Sequence, residues 1–299
     1  MSSRRSLYIS MVAVVIFWGG NYSFTKMAFA DLPPLAFTAV RFTVGSVILF
    51  VLLRRLEPEG TTPRELWGRL ILLGVIGNTL YQLCFVLGLA RTSATNTALI
   101  LSAMPTVLTV AAGALGLETI LTRQRWALAM ATVGVLVVIA ARGFAAHPGD
   151  WVGDALILAG VGCWTAYSVG IRQLRGAVSA LRLTAVTMIT GTPGLVLMGI
   201  PSLLGVHWAA VPARAWGGLA YSTFLSLVAS YILWSRAVQV LGPSRAALFT
   251  CLTPLFASLF AMGILGERPT LAHLVGGGLI IGGVLLGNVL PAARTAGST

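Results

Sequence analysis

Long apolar runs fill most of this 299-residue chain, and only short polar connections separate them. Each run is about 20 residues long, the length of a helix that crosses a hydrocarbon core of ~30 Å. The pattern predicts an all-α membrane protein with ten transmembrane helices, over residues 7–30, 35–53, 66–90, 96–116, 124–141, 153–171, 181–200, 215–235, 246–265 and 272–290. The connections are too short for a soluble catalytic domain, so we expect the function to lie within the membrane.

Two stretches of sequence repeat each other 149 residues apart, ATNTALILSAMPTVLTVAAGALGLE at 94–118 and PSRAALFTCLTPLFASLFAMGILGE at 243–267. Their alignment matches Pro105 with Pro254 and Glu118 with Glu267. Each half of the chain holds five predicted spans, and an odd number means that the second copy enters the membrane from the opposite side. We therefore predict two inverted five-helix repeats, at 1–145 and 150–291, and a cytoplasmic tail at 292–299. Inverted repeats are typical of secondary transporters with a site near the bilayer midplane.

Composition and charge agree with a membrane protein. Hydrophobic residues make up 57% of the chain and charged residues only 9%, against about 25% charged residues in soluble domains. The net charge is +12, but the arginines are spread over the connections, so nucleic acid is not an expected partner. With the N-terminus inside, fourteen of the twenty basic residues fall on the cytoplasmic side, five on the other side and one within a span. This bias predicts that both termini are cytoplasmic.

Tryptophan usually lies at the membrane boundary, so tryptophans in the middle of a span are candidate pocket residues. Trp18 and Trp164 lie at corresponding mid-span positions of the two halves, whereas Trp234 is equally compatible with the boundary. Helical spacing extends these positions into polar and aromatic faces, which are typical either of a small-molecule pocket or of hydrogen bonding between helices. The predicted substrate-binding residues are Trp18, Asn21, Tyr22, Asn78, Tyr81, Gln82, Phe85, Ser102, Trp164, Tyr167, Ser168, Ser230, Tyr231, Trp234 and Thr250.

Other residues carry structural expectations. Pro105 and Pro254 lie near the middle of their spans and predict kinks that could serve as hinges. Lys26 and Arg41 lie within a few turns of the outer ends of their spans, so we expect both to snorkel to the interface. The alternative for Lys26 is attraction of a substrate carboxylate. Glu118, which precedes the fifth span, is expected to cap that helix.

Several classes of function are disfavoured. The acidic residues and histidines all lie in loops or at span ends, so neither a proton relay nor an enzymatic site can be assembled at depth. Uncoupled facilitated diffusion or exchange is therefore favoured, and a proton-coupled carrier and a channel are the alternatives. Cys84, Cys163 and Cys251 are too scattered for a metal site and are expected to be buried structural thiols, and no cofactor is implied. The glycines of the last span allow either a monomer or a homodimer, and the break at 191–194 in span seven has no functional explanation.

Three motifs carry a resemblance to a known family. They are FWGGNYSF at 17–24, PPLAFTAVRF at 33–42 and the repeated run that ends in LGLE and ILGE. On these motifs the chain resembles the ten-helix EamA-type members of the drug/metabolite transporter superfamily. The resemblance implies a central cavity lined by helices one, three, four, six, eight and nine, and export of a small-molecule substrate across a bacterial inner membrane. The chain is most similar to exporters of aromatic and other amino acids, with multidrug or other-metabolite export as the alternative. It departs from the family pattern in span seven, where Arg182 lies at the cytoplasmic start.

Overall fold

Helices make up almost all of the chain that the computed structural model describes, which is residues 2–89, 91, 100–101, 103–140, 151–253, 255–257, 259–260 and 271–288. No strand occurs among these residues. Six of the helices are long and apolar enough to cross a membrane, and Met104–Ala114 and Leu274–Leu286 are shorter apolar helices. The protein is a multi-pass membrane protein.

We number the helices in chain order. The first half contains α1 (Ser2–Phe29), α2 (Pro34–Leu56), α3 (Trp67–Gly74, Val75–Leu80 and Tyr81–Leu89), α4 (Met104–Ala114) and α5 (Thr122–Ala140). The second half contains α6 (Trp151–Gln173), α7 (Ala180–Leu204), α8 (Ala213–Tyr221, Ser222–Ala229 and Ser230–Leu241), α9 (Pro243–Thr250) and α10 (Leu271–Asn288).

Local sequence explains where several helices begin. Pro34 occupies the first turn of α2, where its missing N–H would have no partner in any case. Ser179 caps α7 by accepting a hydrogen bond from the backbone N–H of Arg182. Gly242 separates α8 from α9 with a φ of 92°, a conformation that residues with a Cβ rarely adopt, and Pro243 then opens α9.

The central segments of α3 and α8 are π-helical, and they end at Leu80 and Ala229, at the same 149-residue spacing as the sequence repeat. A π-helical turn inserts one residue into the helical ladder and rotates the following residues relative to an α-helix, and such turns are frequent at functional sites. The two halves thus share an irregularity that the apolar pattern did not reveal. In both halves it directly precedes the segment that carries predicted pocket residues.

Contacts between the halves are reciprocal. Helix α1 packs on α8 and α6 packs on α3, while α2 packs on α7, α4 on α9 and α5 on α10. Such pairing is the pattern expected of two related units around a two-fold axis.

Of the two matched prolines, the structure describes Pro105, which lies at the start of a helical segment. Pro105 occupies the first turn of α4, and Ala103 just before it forms a turn. In the second half, Cys251 and Leu252 form the corresponding turn after α9, whereas Pro254 lies outside the described residues. A turn thus lies directly before Pro105, the position at which a kink was predicted, and the role of this proline as a hinge stays a prediction. Discontinuous helices of this kind are common in secondary transporters.

The predicted break at 191–194 is wrong, because α7 continues through it from Ala180 to Leu204, and the segment is instead a place of close helix packing. A Cβ added to Gly191 would overlap the carbonyl oxygen of Gly74 and lie 2.7 Å from the Cβ of Asn78. The hydroxyl of Thr79 donates to the carbonyl oxygen of Gly191, and Pro193 follows inside the helix. The glycine therefore lets α3 approach α7 closely, which gives the 191–194 segment a structural explanation.

Candidate functional site

Six aromatic side chains form one connected group in the core, which we call the aromatic cluster. Trp164 is its centre, because its ring centroid lies 5.0–5.8 Å from those of all five other members. Trp18 and Trp234 also touch each other, at 5.4 Å. These separations are those of favourable aromatic pairs. The members are Trp18, Tyr81, Trp164, Tyr167, Tyr231 and Trp234.

Both halves of the chain contribute to the cluster, since α1 and α3 supply one ring each and α6 and α8 supply two each. In α6 and again in α8 the paired rings are three residues apart, a spacing that puts them on one helix face. The indole N–H of Trp18 donates to the carbonyl oxygen of Ser226, in the π-helical segment of α8, at 3.0 Å. This hydrogen bond fixes the α1 ring against the second half.

Polar atoms without partners lie on the same helices. Asn78 donates to the carbonyl oxygen of Thr187 at 3.0 Å, but its Oδ1 has no hydrogen-bond partner among the described residues. The same holds for Oγ of Ser168 and Nε1 of Trp234, and all three side chains are at most 1% exposed. A buried polar atom without a partner is unfavourable and requires an explanation. A bound polar molecule would supply the missing hydrogen bonds.

Not every predicted residue joins the cluster. Tyr22 is 44% exposed, and Asn21 accepts hydrogen bonds from Ser222 at 2.7 Å and from Thr25. The hydroxyls of Ser230 and Thr250 donate to carbonyl oxygens of their own chain segment, as serine and threonine commonly do in helices.

The remaining predicted residues lie near the cluster or outside the described chain. Gln82 is buried beside Tyr231, and the ring of Phe85 stacks on Tyr81 at 6.3 Å. Ser102, like Pro254, lies outside the described residues.

The profile of the EamA-like transporter family matches residues 5–140 and matches again at 151–289. The chain belongs to the EamA-like transporter family. The resemblance to the drug/metabolite transporter superfamily is thereby confirmed, and a transporter rather than an enzyme is indicated.

Relatives and a solved structure agree with this assignment. An uncharacterized transporter of Bacillus subtilis, YyaM, is 26% identical and the match covers 94% of this chain and 92% of that protein. A probable terminal-alkyne amino-acid exporter of Streptantibioticus cattleyicolor is 27% identical, over 93% and 92% of the two chains. A crystal structure with a TM-score of 0.78 and 18% identity covers 94% of this chain and 96% of that chain, so the fold is shared.

Arg41 lies inside this EamA-like transporter, whereas we expected its side chain to snorkel to the membrane interface. It is only 7% exposed, so it does not snorkel out of the protein. Its Nε has no partner, and its charge lies within electrostatic range of Tyr81 and Tyr231. A signal was available, since Arg41, Gly45 and Leu49 share one buried helical face at i, i+4 and i+8. The side chain of Lys26 lies outside the described residues.

The thiols of Cys84 and Cys163 interact with each other across α3 and α6. Both side chains are half-buried, whereas Cys251 is buried. The expectation of three buried thiols is therefore right for Cys251 alone, and the other two form a pair between the halves.

Glu118 does cap a helix, but not the one that follows it. Its Oε2 accepts a hydrogen bond from the backbone N–H of Ser244 at 3.1 Å, in the first turn of α9. The negative carboxylate lies at the positive end of that helix. A residue of the first half thus stabilises a helix of the second half, and its counterpart Glu267 lies outside the described residues.

Proposed function

We propose that this EamA-like transporter exports small metabolites, foremost aromatic or other neutral amino acids, across the bacterial inner membrane by alternating access. The observation that carries the proposal is the aromatic cluster, built from both halves and accompanied by unpartnered buried polar atoms. Apolar and aromatic walls with a few placed polar groups are typical of small-molecule sites. The family assignment and the relative named as a probable amino-acid exporter support the same function.

The binding chemistry follows from the side chains. A flat or apolar substrate group packs against Trp18, Trp164 and Tyr81 in place of the ring contacts that these residues make with one another. Its polar groups hydrogen-bond to Asn78, Gln82 or Ser168. The bonds to Asn78 and Ser168 satisfy atoms that are otherwise buried without a partner among the described residues, which favours the loaded site over the empty one.

The mechanism uses the ten-span architecture with two inverted halves and cytoplasmic termini. The distribution of basic residues and the reciprocal packing of the halves support this topology. Rocking of one half against the other opens the site to each side in turn. The interruptions before Pro105 and after α9 serve as the hinges, because helix ends can change direction without breaking a continuous hydrogen-bond ladder.

Transport is uncoupled from protons in this proposal. The acidic residues that the structure describes lie at helix ends or in connections, away from the aromatic cluster. The substrate gradient therefore drives net movement. Export of other metabolites or drugs, with or without protons, is the alternative on the same fold, and a channel is the alternative of another class. Counterflow separates a carrier from a channel, because only a carrier accelerates exchange.

Replacement of Trp164 with alanine tests the proposal in liposomes that contain purified protein. Trp164 touches five rings and is 3% exposed, whereas Trp151 on the same helix is 73% exposed. We expect Trp164→Ala to abolish amino-acid counterflow and Trp151→Ala to retain it. Trp164→Phe keeps an aromatic ring at this position and is therefore expected to preserve the fold. This variant should retain part of the exchange. Normal counterflow in Trp164→Ala would remove the cluster from the site.

A further inference from the structure

Two buried arginines of similar exposure have opposite surroundings. Arg182, at the cytoplasmic start of α7, is 8% exposed. Its Nε lies 3.3 Å from Oε2 of Glu57, and its Nη2 donates to the carbonyl oxygen of the same residue at 3.1 Å. Arg41, in α2, is 7% exposed. It makes no hydrogen bond or ion pair with any residue in the described ranges, and its Nε is buried without a partner.

An unpaired buried guanidinium is unfavourable for folding. Arginine stays charged at any physiological pH and presents five donors, and a buried charge normally requires an ion pair or several hydrogen bonds. Its guanidinium carbon lies 5.6 Å from the ring centroid of its own neighbour Phe42, a cation–π contact that gives the N–H donors no acceptor. The position therefore lacks an internal explanation and has the character of a site that awaits an anion.

The location of Arg41 connects it to the aromatic cluster. Helix α2 packs on α7 and on the π-helical segment of α8, and it also touches α3. One turn along the same face, Gly45 lies against Leu227 and Met188. The guanidinium itself lies within electrostatic range of Tyr81 and Tyr231, two members of the cluster. The positive charge is thus within electrostatic range of the aromatic cluster, whose tyrosine hydroxyls can add hydrogen bonds to a bound oxygen atom.

We propose that Arg41 binds the carboxylate of the transported substrate and so selects substrates that carry one beside an apolar or aromatic part. This inference rests on the proposed function and narrows it to a substrate class. The planar fork of donors matches a carboxylate in two parallel hydrogen bonds. The same unpaired charge repels amines and lipophilic cations that lack an acidic group. Lys26, the residue that the sequence suggested for this role, is not required for it.

The test compares binding of phenylalanine and leucine with binding of their carboxamides, which keep the side chain and the amine but lack the carboxylate. Binding is measured on purified protein by the fluorescence of the tryptophans. We expect the wild type to bind each amino acid at least about tenfold more tightly than its amide. Arg41→Gln should lose this preference by weakening amino-acid binding alone, and Arg41→Lys should keep part of it. Arg182→Gln is the matched control and should keep the full preference.

Thermal unfolding distinguishes a binding role from a structural role. Because Arg41 has no hydrogen-bond or ion-pair partner among the described residues, Arg41→Gln should unfold at the same temperature as the wild type or higher. Arg182→Gln should unfold at a lower temperature, because it removes the ion pair with Glu57. Two results for Arg41→Gln would overturn the assignment. One is a lower unfolding temperature together with equally weak binding of the amino acid and its amide. The other is an unchanged preference for the amino acid over its amide. If the wild type binds neither amino acid, the amino-acid function itself fails and the role of Arg41 fails with it. Binding of amino acid and amide alike by the wild type would refute the role of Arg41 alone.

Discussion

Substitution of alanine for Gly191 tests whether close packing of α3 against α7 holds the site together. The new Cβ would overlap the carbonyl oxygen of Gly74 and lie 2.7 Å from the Cβ of Asn78, about 1 Å short of van der Waals contact. Overpacking of this kind destabilises by roughly 1–3 kcal/mol. Moving α3 away also weakens the hydrogen bonds of Asn78 and Thr79 to α7, at roughly 0.6 kcal/mol each in a membrane. Because alanine has a better helix propensity than glycine, the substitution also stabilises α7 by up to about 1 kcal/mol.

The expected net loss for Gly191→Ala is therefore roughly 1–3 kcal/mol of unfolding free energy. Equilibrium unfolding in mixed micelles that contain SDS measures it, and liposome counterflow measures transport in parallel. Gly217→Ala in α8 is the control, because nothing lies within 4 Å of its added Cβ. Transport should fall in Gly191→Ala, because Asn78 is displaced, and should persist in the control. Equal stability and equal transport in the two variants would refute the packing explanation.

Two other changes test how the halves are joined. Glu118→Gln removes the charge that caps α9, so the free energy of unfolding should fall by about 1 kcal/mol. Glu59→Gln, at an exposed position, is the control. An equal loss of unfolding free energy in that control would contradict the capping role. Mercuric ion should link Cys84 and Cys163 across α3 and α6 and stop counterflow until a thiol is added. If the Cys84→Ser variant is inhibited as strongly, the metal acts elsewhere, for example at Cys251.

The sequence predicted that aromatic residues of the two halves meet, because tryptophan depth is a strong signal. A ring far from both boundaries must face protein or lipid, and its match in the other half of the repeat pointed to the interface between halves. Trp18 and Trp164 indeed lie in one cluster, and Trp234 joins them rather than the boundary. By contrast, Trp126 and Trp151, which lie near the starts of α5 and α6, are exposed.

Other features could not be predicted, because spacing along the chain does not determine how a helix is rotated or interrupted. Tyr22 lies one turn from Trp18 and yet is largely exposed. Arg41 lies near a span end, where snorkelling is the usual outcome, but its face is directed into the bundle. The partner of Glu118 is a residue of the other half, and no local pattern indicates a capping contact over that distance.

The same limit applies to the helix interruptions. Pro105 was visible in the sequence, but proline can either kink a helix or restart one, and the sequence did not indicate the turn at Ala103. The π-helical segments of α3 and α8 lie inside predicted spans and contain both apolar and polar residues, so hydrophobic periodicity gave no sign of them. Their equal spacing in the repeat becomes evident only in three dimensions.

Counterflow of labelled amino acids into liposomes that contain the wild-type protein, with and without an imposed pH gradient, tests the central claim most directly. The account predicts saturable exchange that unlabelled amino acid on the opposite side accelerates and that the pH gradient does not change. Exchange that requires the gradient would contradict uncoupled transport. Flux that neither saturates nor accelerates, or no exchange of any amino acid, would contradict an amino-acid carrier with its site at the aromatic cluster.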